Sequence, residues 1–264
     1  MATSINPTAV IASSAQLGVD VTVGPYCIIG DNVVIGDSAR LHSHVVIDGH
    51  TTIGDGCEIF PFAVLGAPPQ HTRYDNEPSR LTIGKKCVIR EHVTMHPGTA
   101  IDAMETIVGN HGLFFAGAHV AHDCVVGDHV IFANNAALGG HVKIGDYAML
   151  GGFAAVQQWC RVGVHSMVGA QSLVDADIIP FCIAAGNRAK LSGVNVIGLE
   201  RRGFSPETVT ALRDFFRTLV RGNGLFASRL DEVRERFTGK AEFDMLIDFI
   251  DNAGQNGICQ SYKR

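Results

Sequence analysis

From Val108 the chain can be cut every six residues without a slip, as VGNHGL, FFAGAH, VAHDCV, VGDHVI, FANNAA, LGGHVK, IGDYAM, LGGFAA, VQQWCR, VGVHSM, VGAQSL and VDADII. The first place of each hexad is aliphatic or Phe, the second is mostly Gly or another small or acidic residue, and the fifth is mostly Ala, Val, Cys or Ser. One aliphatic and one small inward position every six residues is the pattern of short parallel strands wound into a triangular prism. Three hexads complete a coil, so residues eighteen apart stack at the roughly 4.8 Å spacing of paired strands. The same rhythm runs from Ile5 (INPTAV, IASSAQ, LGVDVT) through IFPFAV, so the prism begins almost at the amino terminus.

That stacking places side chains in space. In the stretch from Phe114 to Leu150, the densest in histidine, acid and glycine, His122 falls beside Gly140 and Asp123 beside His141. A histidine with an acid next to it, and a glycine amide one rung away, suits acid/base chemistry. His122 takes a proton, Asp123 fixes its tautomer, and the Gly140 N–H meets a developing oxyanion. No Ser or Cys nucleophile accompanies them, and Cys124 occupies the small fifth place. Any one of the 12 His is by itself more often a solvated or packing residue. The grouping of HVAHDC with Gly140 and His141 on the next rung is harder to assign that way.

Composition narrows the classes. A net charge of −5 argues against a nucleic-acid binder. Met1 to Asn6 has neither the basic start nor the apolar run of a signal peptide, and no apolar stretch approaches the ~20 residues that span a bilayer. Of the 7 Cys, Cys27, Cys57, Cys87, Cys124 and Cys160 all fall at the fifth place, which makes them core fillers in a reducing cytoplasm rather than disulfides or metal ligands.

The rhythm breaks twice, near residues 67–82 (a Pro- and charge-rich run) and near 101–107, and each break predicts an external loop able to wall a pocket. Residues 1–180 are thus expected to form the prism, 181–204 an irregular crossover with Arg188, Lys190, Arg201 and Arg202 as a candidate anion site, and 205–264 a helical domain. Ser205 as N-cap, Pro206 at the first helical position and Gly222 at the end bound the first helix, and about 228–237 and 242–253 carry two more. Such helices would cover the open end of the prism.

The hexapeptide array, HVAHDC, ANNAALGGHVKIGD, AAGNRA, GVNVIGLERRGFS and the helical tail together resemble the UDP-N-acetylglucosamine acyltransferases, over essentially the whole chain. The resemblance implies a mainly β fold, a left-handed parallel β-helix with a C-terminal helical domain, in a cytoplasmic homotrimer with active sites in clefts between subunits. It implies transfer of an (R)-3-hydroxyacyl group from acyl carrier protein to the 3-hydroxyl of the UDP-sugar, the first step of lipid A synthesis. No metal or bound cofactor is implied beyond the carrier's acyl-phosphopantetheine. His122 corresponds to the general base, Asp123 to its orienting acid and Gly140 to the oxyanion amide. His119, His141 and Gln158 correspond to residues lining the sugar pocket, and His96 to a histidine near the cleft. Asn195 and Arg202, with Arg201 adjacent, correspond to the residues that hold the nucleotide, and Ala170 to the position that gauges acyl length. Docking of an acidic carrier is expected on Lys85, Lys86, Arg90 and the tail arginines.

Some substrate-pocket positions depart from the family. His71 and Arg73 stand in the first insert where an acid and a lysine are usual. Gln157 and Arg188 each replace a histidine, and Ile197 replaces an acid. These changes leave the acceptor open between UDP-N-acetylglucosamine and a different or amino-modified nucleotide sugar. Three other classes share the prism. A hexapeptide N-acyltransferase or acetyltransferase would also use a histidine base, but the chain resembles those only in the repeat. A γ-class carbonic anhydrase would bind zinc through three His from two subunits but has no use for GLERRGF and the helical tail, and a scaffold trimer would be indifferent to loss of His122.

Overall fold

The computed structural model describes residues 3–261; positions 1–2 of the expected prism and 262–264 of the expected helical domain lie outside the described residues. Nearly every hexad contributes a two-residue strand, and the strands form three sheets of 11, 9 and 8 strands that are the faces of the prism. The pairing is parallel and steps by eighteen residues, as in Leu113 with Ile131, His119 with Ala137 and Val125 with Lys143. Within each strand the sixth-place residue faces out and the following first-place residue faces in. Phe114, Phe132, Leu150 and Val168 therefore make one buried column up the interior. At the corners the chain turns through residues in the left-handed region, among them Asp123 (φ 58°), His141 (φ 63°) and Trp159 (φ 65°). This is the architecture of a left-handed parallel β-helix with a C-terminal helical part.

Both breaks in the rhythm are extrusions from an otherwise unbroken ladder. Glu58 pairs with Val88 rather than with residue 76, and Val88 with Leu113 rather than with residue 106. The prism resumes in register after each. The end of the first insert joins the strand Arg80–Ile83, and that of the second the strand Glu105–Val108. All seven cysteines are buried and free.

Residues 181–204, expected to be irregular, are ordered. Cys182–Ala185 continues the first sheet in parallel beside Met167–Val168, and Lys190–Val194 returns antiparallel to it. A hairpin makes no coil, which is why the hexad pattern is absent there. The short helix α1 (Val196–Arg201) follows, then α2 (Pro206–Arg221), α3 (Phe226–Phe237) and α4 (Ala241–Asp251). The Ser205 hydroxyl accepts the Thr208 N–H at 3.2 Å, capping α2, whose Val209, Leu212, Phe215, Phe216 and Leu219 are buried. Phe215, Phe237 and Phe243 form an aromatic knot that ties α2, α3 and α4 together.

The tail is fastened to the prism at Asp177. Its fully buried carboxylate accepts from Arg161 N and Nε, both at 2.8 Å, and from Gly254 N at 3.2 Å. The Arg161 guanidinium lies 4.1 Å over the Phe249 ring and donates to the Phe249 carbonyl. A buried ion pair is tolerable only when its remaining hydrogen-bonding capacity is used, and here it is used to join two chain segments.

Candidate active site

The ladder continues past His119 and Val120 in step with Ala137 and Leu138, so His122 lies against Gly140 and Asp123 against His141. This is the corner between the second and third sheets. A β-carbon added to Gly140 would lie 2.3 Å from His122 Cε1 and within 2.9 Å of both ring nitrogens, so only glycine admits the imidazole at this rung. Gly140 is buried, and its N–H finds no acceptor among the described residues. Buried amides are nearly always paired, so this donor is held for something else.

His122 is buried, with Nδ1 2.8 Å from Asp123 Oδ2. A carboxylate only accepts, so Nδ1 carries the proton and Nε2 is the basic atom. Asp123 also receives Thr99 N on Oδ1 (2.8 Å) and Thr99 Oγ1 on Oδ2 (2.7 Å). Burial alone would raise the Asp123 pKa, but the bonds from His122 and Thr99 outweigh it and hold the carboxyl below the usual range. Asp123 therefore remains an anion able to orient His122.

His71 and His141 both meet the His122 ring edge-on, with centroids 4.9 and 5.0 Å away. His141 is stacked on Trp159 at 3.7 Å, and its Nδ1 lies 2.8 Å from Asp102 Oδ2. His119 bonds Thr94 Oγ1 through Nδ1 at 2.8 Å and faces His96 at 5.4 Å. Burial, reinforced by the neighbouring His96 and His122, lowers the His119 pKa to about 4, so this ring is neutral near pH 7. His96 is buried and gives Nδ1–H to the Ala67 carbonyl at 2.9 Å, which leaves Nε2 with no partner among the described residues. Gln157 and Gln158 are exposed on the rung of Trp159. Arg73 is exposed, and its backbone N–H donates to His71 Nδ1.

The remaining expected residues lie elsewhere on the chain. Asn195 caps α1, accepting from Gly198 N and donating to the His165 carbonyl. Arg202 lies 5.5 Å over the Tyr147 ring and donates to the Tyr147 carbonyl at 2.9 Å. Tyr147 and His165 belong to the corner between the third and first sheets, so Asn195 and Arg202 are at a different edge from His122. Arg201 and Arg188 are exposed, the latter 3.4 Å from Asp175. Ala170 is exposed at the third corner, between the first and second sheets.

Three residues of this site escape a reading of the sequence. Asp102 sits in the second insert, where the loss of periodicity removes any spatial assignment, and Thr99 stands just ahead of that break, at the fifth place of the hexad MHPGTA, which marks it as a small inward residue rather than a partner of Asp123. Trp159 did carry a signal, since it stands eighteen residues after His141.

His122, Asp123 and His141 bring donor atoms within 4.8 Å of one another, a spacing that a metal ion could bridge. In this structure the His122 and His141 Nδ1 atoms each lie at hydrogen-bond distance from a carboxylate, of Asp123 and Asp102 respectively.

Comparison with known proteins fits this arrangement. Residues 177–259 match the family model described as UDP N-acetylglucosamine O-acyltransferase, domain 2, and residues 14–49 and 32–67 match bacterial transferase hexapeptide repeats. The acyl-[acyl-carrier-protein]--UDP-N-acetylglucosamine O-acyltransferase of Azorhizobium caulinodans is 50% identical over 255 residues, 97% of this chain and 94% of the relative. The solved structure of LpxA from Acinetobacter baumannii superposes with a TM-score of 0.93 at 41% identity, covering 97% of this chain and 99% of that one. LpxA from Bacteroides fragilis, a UDP-N-acetylglucosamine acyltransferase, gives 0.94 at 36%, covering 97% and 100%. Likeness at this level covers 97% of the chain, prism and helical tail alike, and the chain belongs to the UDP-N-acetylglucosamine O-acyltransferase family.

Proposed function

We propose that this chain transfers an (R)-3-hydroxyacyl group from acyl carrier protein to the 3-hydroxyl of UDP-N-acetylglucosamine, in the cytoplasm and as the first step of lipid A synthesis. The observation that carries the reading is the His122–Asp123 pair set against the unpaired Gly140 amide, in a chain of this family. His122 Nε2 takes the sugar hydroxyl proton as the oxygen attacks the thioester carbonyl. The carbonyl oxygen gains charge against the Gly140 N–H. The C–S bond then breaks, and the imidazolium returns the proton to the leaving thiol. The acyl group arrives on the carrier's phosphopantetheine, so the chemistry asks for no resident cofactor.

The division of the site between two edges supports a homotrimer. Asn195 and Arg202 cannot close on a ligand at the His122 corner of their own chain, whereas a neighbouring copy presenting its Arg202 edge there can. The second sheet offers apolar surface for such contact, with Val10, Ile28 and Leu173 facing outward at 66%, 50% and 36% exposure. For the carrier, Lys85 and Arg90 are already paired with Asp55 and Glu91. Arg213 and Arg221 line a groove of about 510 Å³ beside Val194, Val196 and Phe216, in which Arg217 is paired with Asp214 at 2.9 Å; the two remaining guanidiniums beside an apolar wall suit an acidic partner.

His71, beside the base where the family usually has an acid, favours keeping an amino-modified nucleotide sugar as a second acceptor class. A matrix of acyl carriers against nucleotide sugars, read by product mass, tests both, with His122→Ala as the control expected to lose about 100- to 10,000-fold in rate. Mass addition of one hydroxyacyl group to UDP-N-acetylglucosamine is the expected result. Acylation only of an amino sugar, or turnover that survives His122→Ala, rejects the first reading.

A further inference from the structure

The insert after His96 contributes a second carboxylate to the site. Thr99 holds Asp123 by its N–H and hydroxyl, and three residues later Asp102 takes the Nδ1–H of His141 at 2.8 Å. The turn between them is closed by Asp102 N and Met104 N donating to the Thr99 carbonyl, and the first insert braces it through Glu77, which accepts the Ala100 N–H. The corner thus holds two imidazole–carboxylate pairs one rung apart, His122 with Asp123 and His141 with Asp102.

Asp102 and Asp123 compete for one proton. His141 Nδ1 is 3.9 Å from Asp123 Oδ2, the oxygen that already accepts from His122 Nδ1 and Thr99 Oγ1. Were Asp102 absent, the nearest anion to the His141 N–H would be Asp123, and any turn of the ring toward it would draw on the carboxylate that orients His122. Stacking on Trp159 fixes the plane of the His141 ring but not which way it is flipped about Cβ–Cγ, a half-turn that exchanges Nδ1 with Cδ2. A hydrogen bond at Nδ1 supplies the missing constraint.

We propose that Asp102 is a positioning residue that, through His141, sets the hydrogen-bonding face presented to the acceptor sugar and keeps His141 off Asp123. With Nδ1 protonated and held by Asp102, His141 Nε2 is an acceptor at a fixed place, suited to a sugar hydroxyl. The proposal rests on the nucleotide-sugar reading of the site.

The test is a double-mutant cycle on the full-length protein. Asp102→Ala should raise KM for UDP-N-acetylglucosamine by about tenfold or more, as expected for loss of a charge-assisted hydrogen bond. Asp102→Asn, whose amide oxygen still accepts from Nδ1–H, should recover most of that loss. In a His141→Ala background, Asp102→Ala should add nothing further. Independently of turnover, long-range 15N spectra of histidine-labelled protein should show the resonance that vanishes in His141→Ala as an Nδ1-protonated tautomer, altered in Asp102→Ala and retained in Asp102→Asn. Additive effects of Asp102→Ala and His141→Ala, or an unchanged His141 resonance in Asp102→Ala, overturn the proposal. Wild-type protein that fails to acylate any nucleotide sugar while the spectra behave as expected rejects the functional reading instead.

Discussion

Gly140→Ala isolates the placement of His122 from everything else at the site. The added methyl would fall 2.3 Å from His122 Cε1, 2.7 Å from Nε2 and 2.9 Å from Nδ1. Ordinary carbon contact begins at about 3.5 Å, so the ring must retreat by about 1.2 Å. It has little room to do so, because His71 and His141 stand edge-on to it and Asp123 holds Nδ1 at 2.8 Å. A displacement of about 1 Å at a reacting group costs on the order of 100-fold in rate, about 2.7 kcal/mol in the barrier. The Gly140 N–H is retained and its φ lies outside the left-handed region, so neither a lost donor nor backbone strain competes as the cause. Steady-state kcat with acyl carrier and nucleotide sugar is the assay, alongside a thermal melt, since overpacking alone destabilises by roughly 1–3 kcal/mol. Gly152→Ala, where the new methyl meets only the Asn134 carbonyl at 3.5 Å, is the matched control. A kcat for Gly140→Ala within about threefold of wild type, with the protein folded, refutes the claim that this contact fixes the base.

Thr99→Val deletes the hydroxyl bond to Asp123 while leaving the Thr99 N–H in place; a bond to a charged acceptor is worth about 1.5–3 kcal/mol, so kcat should drop about tenfold with little change in melting, and an unaltered kcat contradicts the role given to Thr99. Asp177→Ala strands Arg161 and cuts the tie to Gly254; destabilisation of about 3–5 kcal/mol is expected from urea midpoints, and a loss under 1 kcal/mol denies Asp177 its anchoring part. His119 and His165 are both lowered from 6.5 to about 4 by burial, His165 also by Arg202, so between those values the unfolded chain binds more protons than the native one. Stability is then complete above pH 6.5 and falls as the pH drops toward 4. A His119→Gln, His165→Gln variant should show a shallower fall in urea midpoint over that range, and an equal slope excludes these two rings as the source.

What the chain discloses before folding depends on whether a residue lies on the ladder. His122, Asp123, Gly140 and His141 could be placed by counting, because a coil of eighteen residues turns sequence distance into spatial distance without any knowledge of packing. Asp102 could not, since an extruded loop obeys no count and its path is set by contacts with His141 and Glu77 that only the folded molecule makes, and Thr99 could not be tied to Asp123 because the break that follows it shifts the next coil off the eighteen-residue count. The 182–194 hairpin was hidden for a related reason: an antiparallel return leaves no sixfold trace. Asn195 and Arg202 were legible as residues but not as part of this corner, because their partners His165 and Tyr147 lie along another edge.

The unbroken register has a consequence for how such a chain can change. Losing one residue from a coil would shift every later side chain off its column, whereas gaining a whole coil of eighteen would lift the helical tail by one strand spacing and leave the His122 corner untouched. Distance along this molecule is therefore counted in storeys, and a variant can lengthen or shorten the wall above its base only by adding or removing a complete floor.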